Sequence, residues 1–266
     1  MRLALTQTDP HFGKTRQNVS DAVALMATAA ADLYVLPELF NTGYNFLSRE
    51  EVADLSEDDT GFTMQTMLGF AKRNSCYIAY GYAEKAPGEN NEVTYYNSSA
   101  LVGPEGLVGR YRKVHLFYRE KLFFAPGNLG FPVFDLPFGK VGMMICFDWM
   151  YPESARSLAL NGAQLIAHPS NLVLPYCPDG MITRCLENRV FAATADRVGQ
   201  EFRDGIDLTY IGTSQLVSNK GRILARCSDD KPEIVVVEID LAQALNKNLN
   251  EYNNLLNDRK SEQYQW

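Results

Sequence analysis

The chain has 266 residues, 46% hydrophobic and 21% charged, which is enough apolar material for one large core, so a single domain is expected. A formal net charge of -7 opposes a polyanionic partner, and neither nucleic acid nor an acidic membrane surface is expected. Five cysteines without a C-x-x-C pair, beside only three histidines, suggest neither a disulfide framework nor a zinc site, so no metal is expected.

In chain order, Leu3 to Gln7 alternates like a strand, and its apolar run is too short for a signal peptide. No later run is long enough to span a bilayer, so the expected location is cytoplasmic. The spacing of Val19, Val23, Leu25 and Met26 predicts a helix over 18–31, and 32–36 reads as a second strand ending in Pro37-Glu38. This βαβ opening makes the two strands parallel and puts Glu38 just beyond a carboxyl end, where ligands of open α/β sheets gather. The acidic residues Glu50, Glu51, Asp54, Glu57 and Asp58 read as a solvated face. A helix over 60–74 and a buried strand over 77–83 follow, then a hairpin of 95–102 and 107–111 around Gly103-Pro104-Glu105-Gly106. The hairpin runs into a segment of mixed charge, 110–121, which suggests local ion pairing, and Lys113 lies where strand gives way to loop.

Val141 to Ile145 is an apolar run that meets Cys146, and Pro152 opens a helical segment that Gly162 ends. Cys146 therefore falls at a bend between strand and helix, where the unpaired amides of a first helical turn favour thiolate over thiol. An isolated cysteine after an apolar strand is more commonly a core residue. A strand over 164–169, a helix over 179–188 and a strand over 189–198 complete a second β-α-β-α-β half. Strands over 211–218 and 222–227 flank Asn219-Lys220-Gly221, and 233–239 closes the sheet. Beyond residue 245 the chain is polar but keeps Leu249, Tyr252, Leu255, Leu256, Tyr264 and Trp266, a pattern that fits docking on a partner subunit or folding back on its own domain.

A thiol attacking an acyl-type carbon needs a base for its proton, a cation or amides for the resulting anion, and an acid for the leaving nitrogen. His11, His115 and His168 have no orienting partner visible in the sequence. Glu38 can serve as base if burial raises its pKa toward neutrality, Lys113 can hold thiolate and oxyanion, and Glu120 can orient the lysine. Asp148 is expected to serve the turn, since a bare carboxylate beside the thiolate would oppose its ionisation.

Leu36-Pro37-Glu38-Leu39, Tyr111-Arg112-Lys113-Val114-His115-Leu116, and Met144-Ile145-Cys146-Phe147-Asp148-Trp149 through Pro152-Glu153-Ser154-Ala155-Arg156 resemble the signature blocks of the nitrilase superfamily of carbon-nitrogen hydrolases. The resemblance implies Glu38 as general base, Lys113 as transition-state cation, Cys146 as nucleophile and Glu120 as a second glutamate. It further implies an α/β fold, a four-layer αββα sandwich over residues 1–245, with 246–266 as a tail, assembling as a homodimer or higher oligomer. Tyr44, Phe117, Tyr118, Phe147, Trp149 and Asn171 are candidates for the substrate pocket, with His168 and the segment 186–189 in support. The implied activity is hydrolysis of a small linear amide or nitrile through a cysteine thioester, with no metal or organic cofactor. The alternatives are acyl transfer from the same thioester and strict action on nitriles or dinitriles.

Overall fold

The structure, a computed structural model, describes residues 1–88 and 92–264; Trp266 of the predicted tail lies outside the described residues. The chain opens with β1 (Arg2–Gln7), α1 (Thr15–Met26) and β2 (Leu33–Val35), and β1 and β2 are parallel as the βαβ reading requires. α1 stops short of Ala31 because the Tyr34 hydroxyl takes over the backbone there, donating to the Ala29 carbonyl at 2.7 Å and accepting from Ala31 N at 3.0 Å. After α2 (Arg49–Leu55) and α3 (Phe62–Asn74) come β3 (Tyr77–Pro87), parallel to β2, and the antiparallel pair β4 (Val93–Gly103) and β5 (Gly106–Arg112).

A short helix, α4 (Glu120–Phe123), precedes β6 (Val133–Leu136) and β7 (Gly139–Met143). Then follow α5 (Pro152–Leu160), β8 (Leu165–Pro169), α6 (Cys177–Asn188) and β9 (Phe191–Ala195), with β7, β8 and β9 parallel. β9 begins later than predicted because Arg189 adopts a left-handed conformation (φ 48°) that caps α6. The hairpin β10 (Gln200–Arg203) and β11 (Ile206–Thr209) was not foreseen. β12 (Gln215–Val217), β13 (Ile223–Arg226) and β14 (Glu233–Glu238) follow, and two short 3-10 helices, Leu241–Leu245 and Ser261–Gln263, come after them.

Among the described residues twelve strands form two six-stranded sheets, in the orders β14-β1-β2-β3-β4-β5 and β13-β12-β9-β8-β7-β6, and β10 and β11 pair apart from them. The strand expected over 233–239 to close the sheet is present as β14, at the edge of the first sheet: it leaves β13 and pairs antiparallel with β1, from Arg2 opposite Glu238 to Gln7 opposite Glu233. Its unbroken apolar run Ile234 to Val237 suits a strand covered on both faces, with Ile234 and Val236 packing toward the α1/α3 side and Val235 and Val237 toward the other sheet.

The sheets stack face to face. Leu3, Leu5, Leu33, Val35 and Leu101 of the first share a core with Val141, Met143, Leu165 and Ala193 of the second. On its outer face the first sheet packs Ala4, Tyr34, Ile78 and Tyr80 against Val19, Met26, Met67 and Phe70 of α1 and α3. Leu158 of α5 and Met181 and Cys185 of α6 cover the second sheet. The fold is thus the expected αββα sandwich. Among the described residues no helix is long and apolar enough to cross a membrane.

Candidate active site

Glu38 leaves the carboxyl end of β2 in the first sheet, and Cys146 follows β7 in the second, so the site exists only where the sheets meet. The turn at Glu38 is held by Gly81, whose N–H donates to the Pro37 carbonyl at 3.0 Å and whose carbonyl accepts from Phe40 N at 3.3 Å. A Cβ on Gly81 would lie 2.5 Å from Glu38 Cα. Glycine is required there because backbone approaches backbone.

Glu38 is completely buried, and its Oε1 accepts from Asn97 Nδ2 at 2.6 Å and Lys113 Nζ at 2.7 Å. Lys113, also fully buried just past β5, donates as well to Glu120 Oε1 at 2.7 Å, and the Tyr44 hydroxyl reaches that same oxygen at 2.5 Å. Burial pushes the Glu38 carboxyl up, the Lys113 ammonium resists this and Glu120 adds to it, leaving Glu38 at about 7. Burial alone would strip the Lys113 proton, but the charges of Glu120 and Glu38 outweigh it and hold the ammonium above its ordinary value.

Cys146 is buried in left-handed backbone (φ 42°) at the head of a tight 3-10 turn, Cys146–Met150. Cys146 thus lies at the expected bend between strand and helix, but the turn sets it apart from α5, which opens at Pro152. Its sulfur donates to the Asn171 carbonyl at 3.7 Å. Burial raises its pKa well above the ordinary thiol value, the charge of Glu38 adds to this, and Lys113 only partly opposes it, so the resting group is a thiol and not the expected thiolate. A base must therefore take its proton during the reaction, and Glu38, titrating near neutrality, has the right affinity.

Asp148 serves the turn, as expected, and does more. Fully buried, it accepts from Ile145 N at 2.9 Å within the cysteine turn, and from the Tyr111 hydroxyl at 2.6 Å and His115 N at 3.1 Å on either side of Lys113. His115 Nδ1 adds a contact at 2.7 Å, and its ring stacks on Tyr151 with centroids 3.7 Å apart. His168 Nε2 donates to the Cys146 carbonyl at 2.9 Å, and its Nδ1 accepts from the Thr194 hydroxyl at 3.0 Å; burial lowers its pKa to about 4, so the ring is neutral. Both histidines thus have orienting partners, and these partners are not the sulfur.

A cavity beside Cys146 is bounded by Phe117, Phe147, Trp149 and Asn171, four of the candidate pocket residues, together with Leu172 and Val173. Arg184 of α6 supports this wall, its Nε donating to the Trp149 carbonyl at 3.1 Å while Nη1 pairs with Glu187 at 3.0 Å. Tyr44 does not line that cavity: it borders a neighbouring one with Glu120, Phe46 and Phe124, so its expected place in the pocket wall is corrected to a contact behind the lysine. Tyr118 is 59% exposed and belongs to the same neighbouring cavity.

Three functional contacts were missed. Asn97 lies in the buried strand β4, where a polar run Asn97-Ser98-Ser99 amid apolar residues was the available signal. Glu201 of β10 accepts from Tyr44 N at 3.1 Å and Asn45 N at 2.7 Å and pairs with the buried Arg197, fixing the loop that aims Tyr44. Asp196, after β9, accepts from Leu172 N at 2.8 Å and fixes the opposite wall of the cysteine cavity. Of the predicted local pairing in 110–121, Lys113–Glu120 forms within the segment, whereas Arg110 and Arg112 pair outside it with Glu84 of β3, at 2.8 and 2.7 Å. In the acidic patch Glu50, Asp54 and Asp58 are exposed, but Glu51 pairs with Arg203 at 2.6 Å.

A buried carboxylate, ammonium and thiol gathered between two sheets of an αββα sandwich define a hydrolase class whose chemistry runs through sulfur. The chain matches the profile of the carbon-nitrogen hydrolase family over residues 2–246, and it belongs to that family. It is 48% identical, over 99% of each chain, to a protein of Pyrococcus abyssi named nitrilase. It is 35% identical to an (R)-stereoselective amidase of a Pseudomonas species, over 91% of this chain and 86% of the relative. A carbon-nitrogen hydrolase of Helicobacter pylori G27 superposes with a TM-score of 0.88 at 25% identity, covering 99% of this chain and 96% of the other. The chain is accordingly an enzyme of this class, a carbon-nitrogen hydrolase.

Proposed function

We propose that the enzyme hydrolyses a small, linear amide or nitrile, with Cys146 as nucleophile, Glu38 as general base, Lys113 as the cation for developing negative charge and Glu120 as the group that holds Lys113. The observation that carries this reading is the Lys113 ammonium bridging Glu38 and Glu120 at 2.7 Å each, fully buried and within electrostatic reach of Cys146. Glu38 takes the thiol proton as sulfur attacks the carbon. The oxyanion of an amide substrate, or the nitrogen anion of a nitrile, forms against Lys113 and the amide of Phe147. With an amide, Glu38 then returns the proton to the leaving nitrogen, ammonia departs, and a water deprotonated by Glu38 resolves the thioester; with a nitrile, the protonated thioimidate first takes up one water and loses ammonia to give the same thioester, which a second water resolves. Phe117, Phe147, Trp149 and Asn171 shape the acyl pocket.

The test is ammonia release from a panel of short aliphatic amides, ω-amides, carbamoyl amines and dinitriles, by wild type and Cys146→Ala. Equal release by both proteins overturns the reading. Hydroxamate formed on adding hydroxylamine, at the expense of free acid, would favour the acyl-transfer alternative.

Residues 1–245 form the catalytic domain in this reading, and the enzyme works in the cytoplasm as a homodimer or higher oligomer. The tail supports the assembly: Lys247 Nζ is anchored to the Asn188 and Arg189 carbonyls at 3.1 and 2.8 Å, while Leu249 and Tyr252 beyond it stay exposed, available to a second copy. A monomeric mass by light scattering at working concentration would overturn it.

A further inference from the structure

We propose that Asn171 reads the N–H of a primary carboxamide, so that the enzyme takes an amide in preference to the nitrile of the same carbon chain; this rests on the function proposed above. Asn171 is 3% exposed and lines the cavity beside Cys146. Neither Oδ1 nor Nδ2 of its side chain has a hydrogen-bond partner among the described residues. Exchanging the two ends of the carboxamide changes nothing, because both are unpaired.

The backbone around Asn171 is fixed. Its carbonyl accepts from the Cys146 sulfur at 3.7 Å, Ser170 O accepts from Glu38 N at 3.4 Å, and Leu172 N donates to Asp196 at 2.8 Å. A fixed segment thus carries an unsatisfied, buried amide on a residue that lines the cysteine cavity, together with Phe117, Phe147, Met150 and Leu172. Leaving such a group unpaired in the interior costs about 1–3 kcal/mol, and buried polar groups without partners call for an explanation.

A primary amide repairs both ends, its N–H donating to Oδ1 and its carbonyl accepting from Nδ2. A nitrile nitrogen accepts only, so Oδ1 remains orphaned. Sites built to hydrogen-bond a substrate N–H discriminate strongly against an analogue that lacks it, because the site's own polar group is stranded.

The experiment compares kcat/KM for butyramide and butyronitrile, with the three-carbon and six-carbon pairs carried alongside, in wild type, Asn171→Leu and Asn171→Ala. Ammonia is the readout. Wild type is expected to favour the amide. Both variants are expected to lose about tenfold to a hundredfold on amides and less than about threefold on nitriles. The amide-to-nitrile ratio does not depend on the fraction of protein correctly folded, so a poorly folding variant still gives an answer. A wild type favouring nitriles, or variants in which both substrates fall by the same factor, overturns the inference and leaves the proposed function standing. A wild type that releases ammonia from none of these nor from the broader panel overturns both.

Discussion

Tyr111 donates its hydroxyl to Asp148 at 2.6 Å, and this contact ties the strand that delivers Lys113 to the turn that delivers Cys146. The same carboxylate accepts from Ile145 N and His115 N, so one buried acid sets the distance between the two halves of the proposed site. Asp148→Ala strands several buried donors at once and is expected to cost about 2–4 kcal/mol of stability, read by denaturant melts. Asp148→Asn keeps the shape but not the charge and is expected to lower kcat at least tenfold with a smaller change in KM. An Asp148→Asn enzyme with wild-type kcat would show that registration does not pass through this residue.

Glu38, at about 7, sets the pH dependence. As base it must be ionised, so kcat/KM should rise about tenfold per pH unit below neutrality and level off above it. Stability runs the other way. The folded state binds the Glu38 proton more tightly than the unfolded state, so this contribution is full below the ordinary glutamate range and is lost as pH climbs through about 7. In Glu38→Gln the fall in Tm between pH 5.5 and pH 8 should shrink; an unchanged slope would mean that the carboxyl is not the titrating group.

The resting sulfur is a thiol, because burial and the neighbouring Glu38 charge raise its pKa. Inactivation by iodoacetamide should therefore keep accelerating through pH 9, and substrate should protect. A plateau near pH 6, as for thiolates paired with imidazolium, would contradict this picture.

Gly81→Ala introduces a methyl group 2.5 Å from Glu38 Cα and 2.8 Å from Leu39 N, both backbone atoms that cannot swing aside. Displacement of Glu38 is the expected consequence, with kcat reduced at least a hundredfold and stability by about 1–3 kcal/mol. Near-normal turnover in a folded Gly81→Ala protein would show that the Glu38 turn tolerates movement.

Among the described residues, no acidic or basic side chain lines the cysteine cavity. An ammonium or carboxylate on the substrate chain would be buried there without a counter-charge, at a cost of several kcal/mol. At neutral pH 4-aminobutyramide is expected to be at least about thirtyfold poorer in kcat/KM than butyramide. Comparable rates would indicate that the chain extends into solvent.

What the sequence made legible was local. Strand-to-loop transitions placed Glu38, Lys113 and Cys146 at element ends, and the spacing from Lys113 to Glu120 already put both in one loop. The αββα layering followed from resemblance to a family, because periodicity does not say which sheet a strand joins. β14 illustrates this: its apolar run announces a strand covered on both faces, but its partner β1 lies at the other end of the chain. Glu201 was illegible for the same reason, since the loop it anchors at Asn45 is 156 positions away. Asn97 was visible as an oddity, a polar group inside an apolar strand, but its meaning depended on where Glu38 would land. The thiolate expectation failed because the turn at Cys146 separates the sulfur from the following helix and buries it.

The pairing of β14 with β1 has a bearing on synthesis. Until the ribosome has released residue 238, β1 is an unprotected margin of the first sheet, a template for any passing strand. Catalytic competence and safety from aggregation therefore arrive together, once β14 has been made, and truncation before Glu233 should yield an insoluble product, not a slow enzyme.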